Sequence, residues 1–464
     1  MPDAAASSPF RAELGATLRL AGPLALANML QMAVYAIDVI FVARLGQEAL
    51  AASSLAVTLF GILMWGFTGI TGAAAPLIAA ELGRKAHAVR EVRRTMRMGL
   101  WLSVICGSIG MSVCHFAEEI LLATGQAPRI ALRAGHFMDI LMWAIIPMIA
   151  ANVLRIFVST MGRPVFATFI TALAIGVNAL GNYALVFGHL GAPALGLEGS
   201  AIASVTTACI TLIAYLVAIR TDRRMRRYHI LGRFWRSEWK RLRQMVAIGT
   251  PIALTIVAEG GLFGGAAFLM GRIGEAQLAG HTIALQVAAF AFQVPLGIAQ
   301  ASTIRVGFHF GAADAQGVGL AGRASLISAM LFMAVPASLM ILFPRLVLSA
   351  YVDVQAPENA VMVAFAVQYL AIAAAFQLFD GIQCVAAGAL RGLQDTRVPM
   401  VMAISGYWLG GFVVAVVLGF FTPLSGVGIW IGLAVGLVTV SALLLWRWRR
   451  RADYRLIPAI PSHG

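Results

Sequence analysis

The sequence predicts an all-α polytopic membrane protein whose twelve transmembrane helices form two pseudo-symmetric six-helix bundles. Three observations predict it. Of 464 residues, 60% are hydrophobic and only 12% charged, with mean hydropathy +0.86, against about 25% charge in a soluble chain. Apolar runs long enough to cross a bilayer recur along the whole length. The chain is also written twice: a shift of 228 residues pairs Pro23 with Pro251, Gly46 with Gly274, Leu50 with Leu278 and Ala51 with Ala279. The same shift pairs Gly69–Ile70 with Gly297–Ile298 and Gly83 with Gly311, while Pro164 meets Pro399 at 235, so a few residues are inserted between.

The first half gives spans near 16–43, 51–80, 98–117, 135–158, 165–187 and 199–219. The second gives 245–271, 280–308, 324–348, 360–388, 399–421 and 427–446. Backbone groups cannot stay unpaired in hydrocarbon, and these runs are too long for barrel strands, so they are helices. Six is an even number, so both halves enter from the same side and the repeat is parallel. The division expected is an N-terminal lobe over 1–220, a basic cytoplasmic linker over 221–244, and a C-terminal lobe with a basic tail over 245–464. Duplicated halves of this kind place a binding site at their interface near the midplane and expose it alternately to each side.

The net charge of +14 is concentrated on one face of the membrane. Arg84, Lys85, Arg90, Arg93, Arg94 and Arg97 lie between spans two and three, nine basic residues run from Arg223 to Arg243, and Arg447 to Arg451 follow the last span. The other loops hold scattered arginines such as Arg44, Arg129 and Arg345. This asymmetry predicts both termini in the cytoplasm, and it is a lipid-orienting surplus rather than a nucleic-acid surface. Cys106, Cys114, Cys209 and Cys384 lie in apolar spans at no metal-ligand spacing and read as small buried hydrophobes. The first apolar run continues for a full span, as an uncleaved helix does.

Enzyme chemistry lacks its parts. Gly317-Val-Gly319-Leu-Ala-Gly322 matches a dinucleotide fingerprint, but it falls in an expected loop with no strand ahead of it. There is no Walker A lysine, H-E-x-x-H or G-x-S-x-G motif. His281 and His309, near the ends of span eight, read as interfacial because no second ligand lies at helical spacing.

Three carboxylates stand where hydrocarbon should exclude them: Asp38 in span one, Glu259 in span seven and Asp380 in span ten. Each costs about 2.5–3.5 kcal/mol at the bilayer centre even on lenient scales. No arginine sits at matching depth in these spans, so a functional role is the reading they favour. The repeat does not duplicate them, for Asp38 falls on Ala266 and Glu259 on Gln31. That asymmetry suggests lobes with different tasks. Asn178 and Asn182 share a face of span five, either as helix glue or as hydrogen-bond partners of Asp38. Asp139 reads as interfacial and Asp353 as a solvated loop residue that could reach a vestibule.

The chain resembles the multidrug and toxic compound extrusion (MATE) transporters, particularly their NorM-like bacterial branch. The resemblance rests on Pro23, Gln31, Asp38 and Phe41-Val-Ala-Arg44-Leu-Gly46 in the first helix, and on Ser159-Thr-Met161-Gly162-Arg-Pro164. It rests further on Phe379-Asp380-Gly381-Ile-Gln383 followed by Gly388-Ala-Leu-Arg391-Gly392-Leu-Gln394-Asp395-Thr396-Arg397-Val-Pro399. Gln394 departs from the glycine common in the family. The resemblance implies the MATE fold and export of amphipathic organic cations (drugs, dyes, antimicrobials) in exchange for Na⁺ or H⁺. It implies a monomer in the bacterial inner membrane with no cofactor beyond the coupling ion. It assigns Asp38, Asn178, Asn182, Gln31 and Tyr35 to a proton- or substrate-binding site in the first lobe. Glu259 and Asp380, with Asp353 nearby, fall to cation coupling, the first two as Na⁺ ligands. A lipid or lipid-linked oligosaccharide flippase of related architecture is the rival reading, and it would need a basic cavity rather than an acidic one.

Overall fold

The computed structural model describes residues 9–85 and 88–457. Twelve helices are long and apolar enough to cross a membrane: α1 (Pro9–Ala43), α2 (Gln47–Arg84), α3 (Val89–His115), α4 (Pro128–Thr160), α5 (Val165–Phe187), α6 (Leu197–Thr221), α7 (Trp239–Ile273), α8 (Glu275–Gly311), α9 (Ala315–Leu342), α10 (Pro357–Gly392), α11 (Arg397–Phe420) and α12 (Gly426–Arg449). Among the described residues there is no strand. All twelve expected spans are present.

Several helices run past their apolar stretches. α7 begins at Trp239, inside the expected linker, and α9 begins at Ala315. The Gly317–Gly322 string therefore lies in a helix, not in the loop expected from sequence. Asp314 caps that helix by accepting from the Gly317 amide at 2.8 Å, and this satisfies a donor that a helix start leaves orphaned. Gly322 is bare because the Trp448 ring fills its place; a Cβ there would meet the ring at 2.0 Å.

Span nine is shorter than its apolar run. It stops at Leu342, and Pro344–Leu348 forms a separate short helix. Pro344 disfavours helical backbone at the residue before it, and Phe343 accordingly leaves the helical region at φ −133° and ψ 51°. Hydropathy alone does not register such a break. Pro23, Pro251, Pro295 and Pro336 are held inside helices, whereas Pro147 follows a 3₁₀ turn over Met142–Ala144 that interrupts α4.

The described residues pack as two compact units, one of 9–25, 83–85 and 254–457, the other of 26–82 and 88–253. These units follow packing rather than the sequence repeat, so α1 and α7 each change unit part-way. The duplication nevertheless reappears inside each unit. In one, a Cβ on Gly297 would lie 2.6 Å from the Ala25 nitrogen; in the other, a Cβ on Gly69 would lie 2.6 Å from the Ala253 Cα. The 228-residue shift maps one pair onto the other, Gly69 onto Gly297 and Ala25 onto Ala253.

A second matched pair lies nearer the basic end. Glu13 on α1 holds Arg305 on α8 at 2.6 Å and His309 at 3.2 Å. At the repeat-related positions, Arg241 on α7 meets Glu81 on α2 at 3.4 Å, and it also meets Glu91 at 3.0 Å. Glu13 corresponds to Arg241 and His309 to Glu81, so the contact is kept while its polarity is reversed.

The basic stretch between the halves is docked rather than loose. Arg93 donates to the Tyr228 carbonyl at 2.7 Å and Trp101 to the Phe234 carbonyl at 2.8 Å. Glu238 accepts from both Arg94 and Arg97. His281 also departs from expectation. It is fully buried, with its ring edge-on to Trp430 at 5.4 Å, because α8 turns that face toward α12 and not toward an interface.

Candidate functional sites

In the first-half unit, α1 presents Asp38 to α5 and α6. Asn178 and Asn182, four residues apart and fully buried, both donate to Asp38 Oδ1, at 3.0 and 2.8 Å. Ser204 donates to Oδ2 at 3.1 Å. The α5–α6 approach that lets Ser204 reach is set by Gly181, whose Cβ would stand 3.0 Å from that of Ala203. Three neutral donors thus replace part of the hydration a carboxylate loses on burial. The Asn182 Oδ1 atom is buried and has no hydrogen-bond partner among the described residues, so the cluster retains an acceptor for a further donor or cation.

Gln31 and Tyr35 stand one to two turns earlier on α1. Tyr35 is 49% exposed, and among the described residues no hydrogen bond joins either to Asp38. Ser204 is the member that sequence reasoning missed: a small hydroxyl in an apolar span carries no signal of its own.

In the second-half unit, Glu259 on α7 and Asp380 on α10 are brought together by Gln383. Its amide nitrogen donates to Glu259 Oε1 at 2.9 Å and to Asp380 Oδ1 at 3.1 Å. Its carbonyl oxygen accepts from the Tyr407 hydroxyl at 2.8 Å. Tyr407 is fully buried and sits in a π-helical turn, Gly406–Phe412, that interrupts α11. Such turns insert a residue and re-aim side chains, and they recur at functional sites. Gln383 stood in the sequence signature but Tyr407 did not, since nothing local marks a π turn.

Asp353 does not join this pair. It is exposed in the loop before α10, where its carboxylate accepts from the Gln355 amide at 2.9 Å and its carbonyl from Asn359 at 3.0 Å. These turn contacts tie it to its own loop. Asp139 is likewise surface-placed, 3.5 Å from His115.

Among the described residues, none of Asp38, Glu259 and Asp380 forms an ion pair. Arginines elsewhere are engaged: Arg447 holds Asp395 at 2.6 Å, Arg129 holds Glu48 at 2.9 Å, and Arg155 donates to Asn28 at 3.0 Å. Among the described residues no group of three or more His, Cys, Asp or Glu side chains comes together to hold a metal. A hard cation would therefore rely on two carboxylates plus neutral oxygens, a donor set that suits a weakly held ion.

Comparison with known proteins decides the family. The MatE family model matches residues 23–184 and again 251–417, once in each repeat. This chain belongs to the MATE family. It is 44% identical to "Probable multidrug resistance protein NorM" of Mesorhizobium japonicum over 452 residues, 97% of each chain. It is 43% identical to the protein of the same name from Brucella suis, over 94% of this chain and 93% of that one. In fold it is similar to the crystal structure of the eukaryotic MATE transporter AtDTX14, with TM-score 0.84 and 17% identity over 97% of this chain and all of that one. The MATE-family fold and the multi-pass membrane architecture expected from sequence are thus established.

Proposed function

We propose that this MATE-family protein is a secondary active multidrug exporter that drives amphipathic organic cations outward by admitting Na⁺ or H⁺. Its relatives' names point to drug efflux. One observation carries the coupling: among the described residues, three intramembrane carboxylates form no ion pair and are hydrogen-bonded by amides and one hydroxyl. Intramembrane carboxylates without an ion-pair partner mark ion pathways, and they offer an exchangeable cation a place to bind. The basic surplus on one side supports an inner-membrane protein with both termini in the cytoplasm, working as a monomer.

Cation binding at Glu259 and Asp380 favours one state and drug binding the other, which requires that each ligand's affinity differ between states. One charge moving inward across about 100 mV yields about 2.3 kcal/mol, and a tenfold gradient adds about 1.4 kcal/mol. Together these sustain a gradient of roughly several hundredfold for a drug without net charge at one-to-one coupling. A monovalent cationic drug cancels the electrical part, so steep export of it requires a second ion or a larger chemical gradient. The acidic character of both clusters disfavours the flippase reading.

The test is uptake of a fluorescent organic cation into everted vesicles, whose lumen corresponds to the cell exterior, with Na⁺ and pH gradients imposed separately. Asp38→Asn, Glu259→Gln and Asp380→Asn should each abolish coupled efflux while inserting normally. Wild-type rates in all three remove the coupling reading.

A further inference from the structure

The arrangement around Gln383 goes beyond naming a carboxylate pair. One amide nitrogen supplies a hydrogen to each carboxyl, and the residue is 3% exposed, so water does not take its place. The amide can do this in one orientation only. Flipped, its carbonyl oxygen would face both carboxyl oxygens and its nitrogen would face the Tyr407 hydroxyl. The Tyr407 hydroxyl, donating at 2.8 Å, holds the productive orientation.

Tyr407 is itself held in place by packing. Gly406 beside it approaches α12 so closely that a Cβ would lie 2.4 Å from Val440 Cγ2, and the π turn aims the ring inward. The other ionisable groups around the amide are Cys384 beside it and Arg391 further along α10. The neighbouring α8 and α9 present Pro295 and Met333 to this region.

We propose that Gln383 is a built-in stand-in for the coupling cation: its amide bridges Glu259 and Asp380 in the unloaded state, Tyr407 fixes its orientation, and the incoming ion displaces it. The proposal rests on the reading of this pair as the coupling site. Gln383 and Tyr407 are positioning residues that set how tightly the site takes an ion. The amide occupies one oxygen of each carboxyl, so an entering ion must give up or replace these hydrogen bonds, and the bridge opposes loading. It keeps affinity low enough for release, which a transporter needs as much as binding.

The experiment compares wild type, Tyr407→Phe and Gln383→Met in everted vesicles. It measures the half-saturating lumenal Na⁺ concentration for uptake of the organic cation at fixed pH, and the lumenal pH midpoint in Na⁺-free medium. Tyr407→Phe removes one hydroxyl and frees the amide to turn its oxygen toward the ion. It should lower the half-saturating concentration of whichever ion wild type uses by about threefold to tenfold, with a lower maximal rate. If that ion is H⁺, the midpoint moves to higher pH. Gln383→Met should act in the same direction and further. A purely structural role would reduce the maximal rate and leave the midpoint in place. Unchanged or weakened ion dependence in well-folded Tyr407→Phe overturns the inference alone. A wild type indifferent to both ions overturns the coupling reading and this inference with it.

Discussion

Asp38 shows how one intramembrane charge is made tolerable. Its two oxygens receive three hydrogen bonds from α5 and α6, all from neutral groups, so the carboxyl is solvated by the protein without being neutralised. Ser204→Ala removes one donor and is expected to slow export about threefold to tenfold, less than Asp38→Asn, with Ser204→Thr close to wild type. Equal rates for all three Ser204 forms would leave the hydroxyl without a positioning role.

Gln394 carries a different residue-scale consequence. It follows α10 with φ +61°, the left-handed conformation that costs a non-glycine residue about 1–2 kcal/mol and that closes many helices with glycine. The departure from the family's glycine is thus a small local strain. Gln394→Gly is expected to raise the melting temperature of the purified protein by about 2 °C without changing efflux. A lower melting temperature would contradict this.

At the scale of elements, the repeat is preserved as matched helix crossings. Gly69→Val and Gly297→Val push a side chain into backbone already 2.6 Å from the Cβ position, and overpacking of this kind costs about 1–3 kcal/mol or more. Both variants should lose yield and thermal stability together. Val tolerated at either position would show that the crossing can relax.

The Glu13–His309 and Arg241–Glu81 contacts are mirrored in place and opposite in charge, and Arg305 adds a second partner to Glu13. Removing one partner of a largely buried pair is expected to cost about 3 kcal/mol. Arg305→Glu should therefore lower stability, and Glu13→Arg in the same chain should restore part of the loss, as thermal unfolding in detergent would show. No recovery in the double variant would mean that the contact is incidental.

For the whole molecule, most of the fold was legible because lipid imposes simple rules. Spans follow from apolar length, the duplication from a constant shift, and the three carboxylates from their cost in hydrocarbon. Hydropathy is blind where a short-range feature overrides it, so Pro344 ended α9 early and polar starts extended α7 and α9. Partners across helices were the least legible. Ser204 and Tyr407 declare themselves only when α6 meets α1 and a π turn meets α10, and His281 looked interfacial until α12 covered it. Asp353 was drawn toward the site by resemblance, yet its own loop holds it away from the pair.

The central claim is that Glu259 and Asp380 tie ion movement to drug movement rather than merely holding helices. Proteoliposomes test it most directly by comparing equilibrium exchange of a labelled organic cation with its uphill accumulation under an imposed ion gradient. Glu259→Gln and Asp380→Asn are expected to exchange the cation across the membrane yet fail to concentrate it. Uphill accumulation at the wild-type level in either variant would contradict the account.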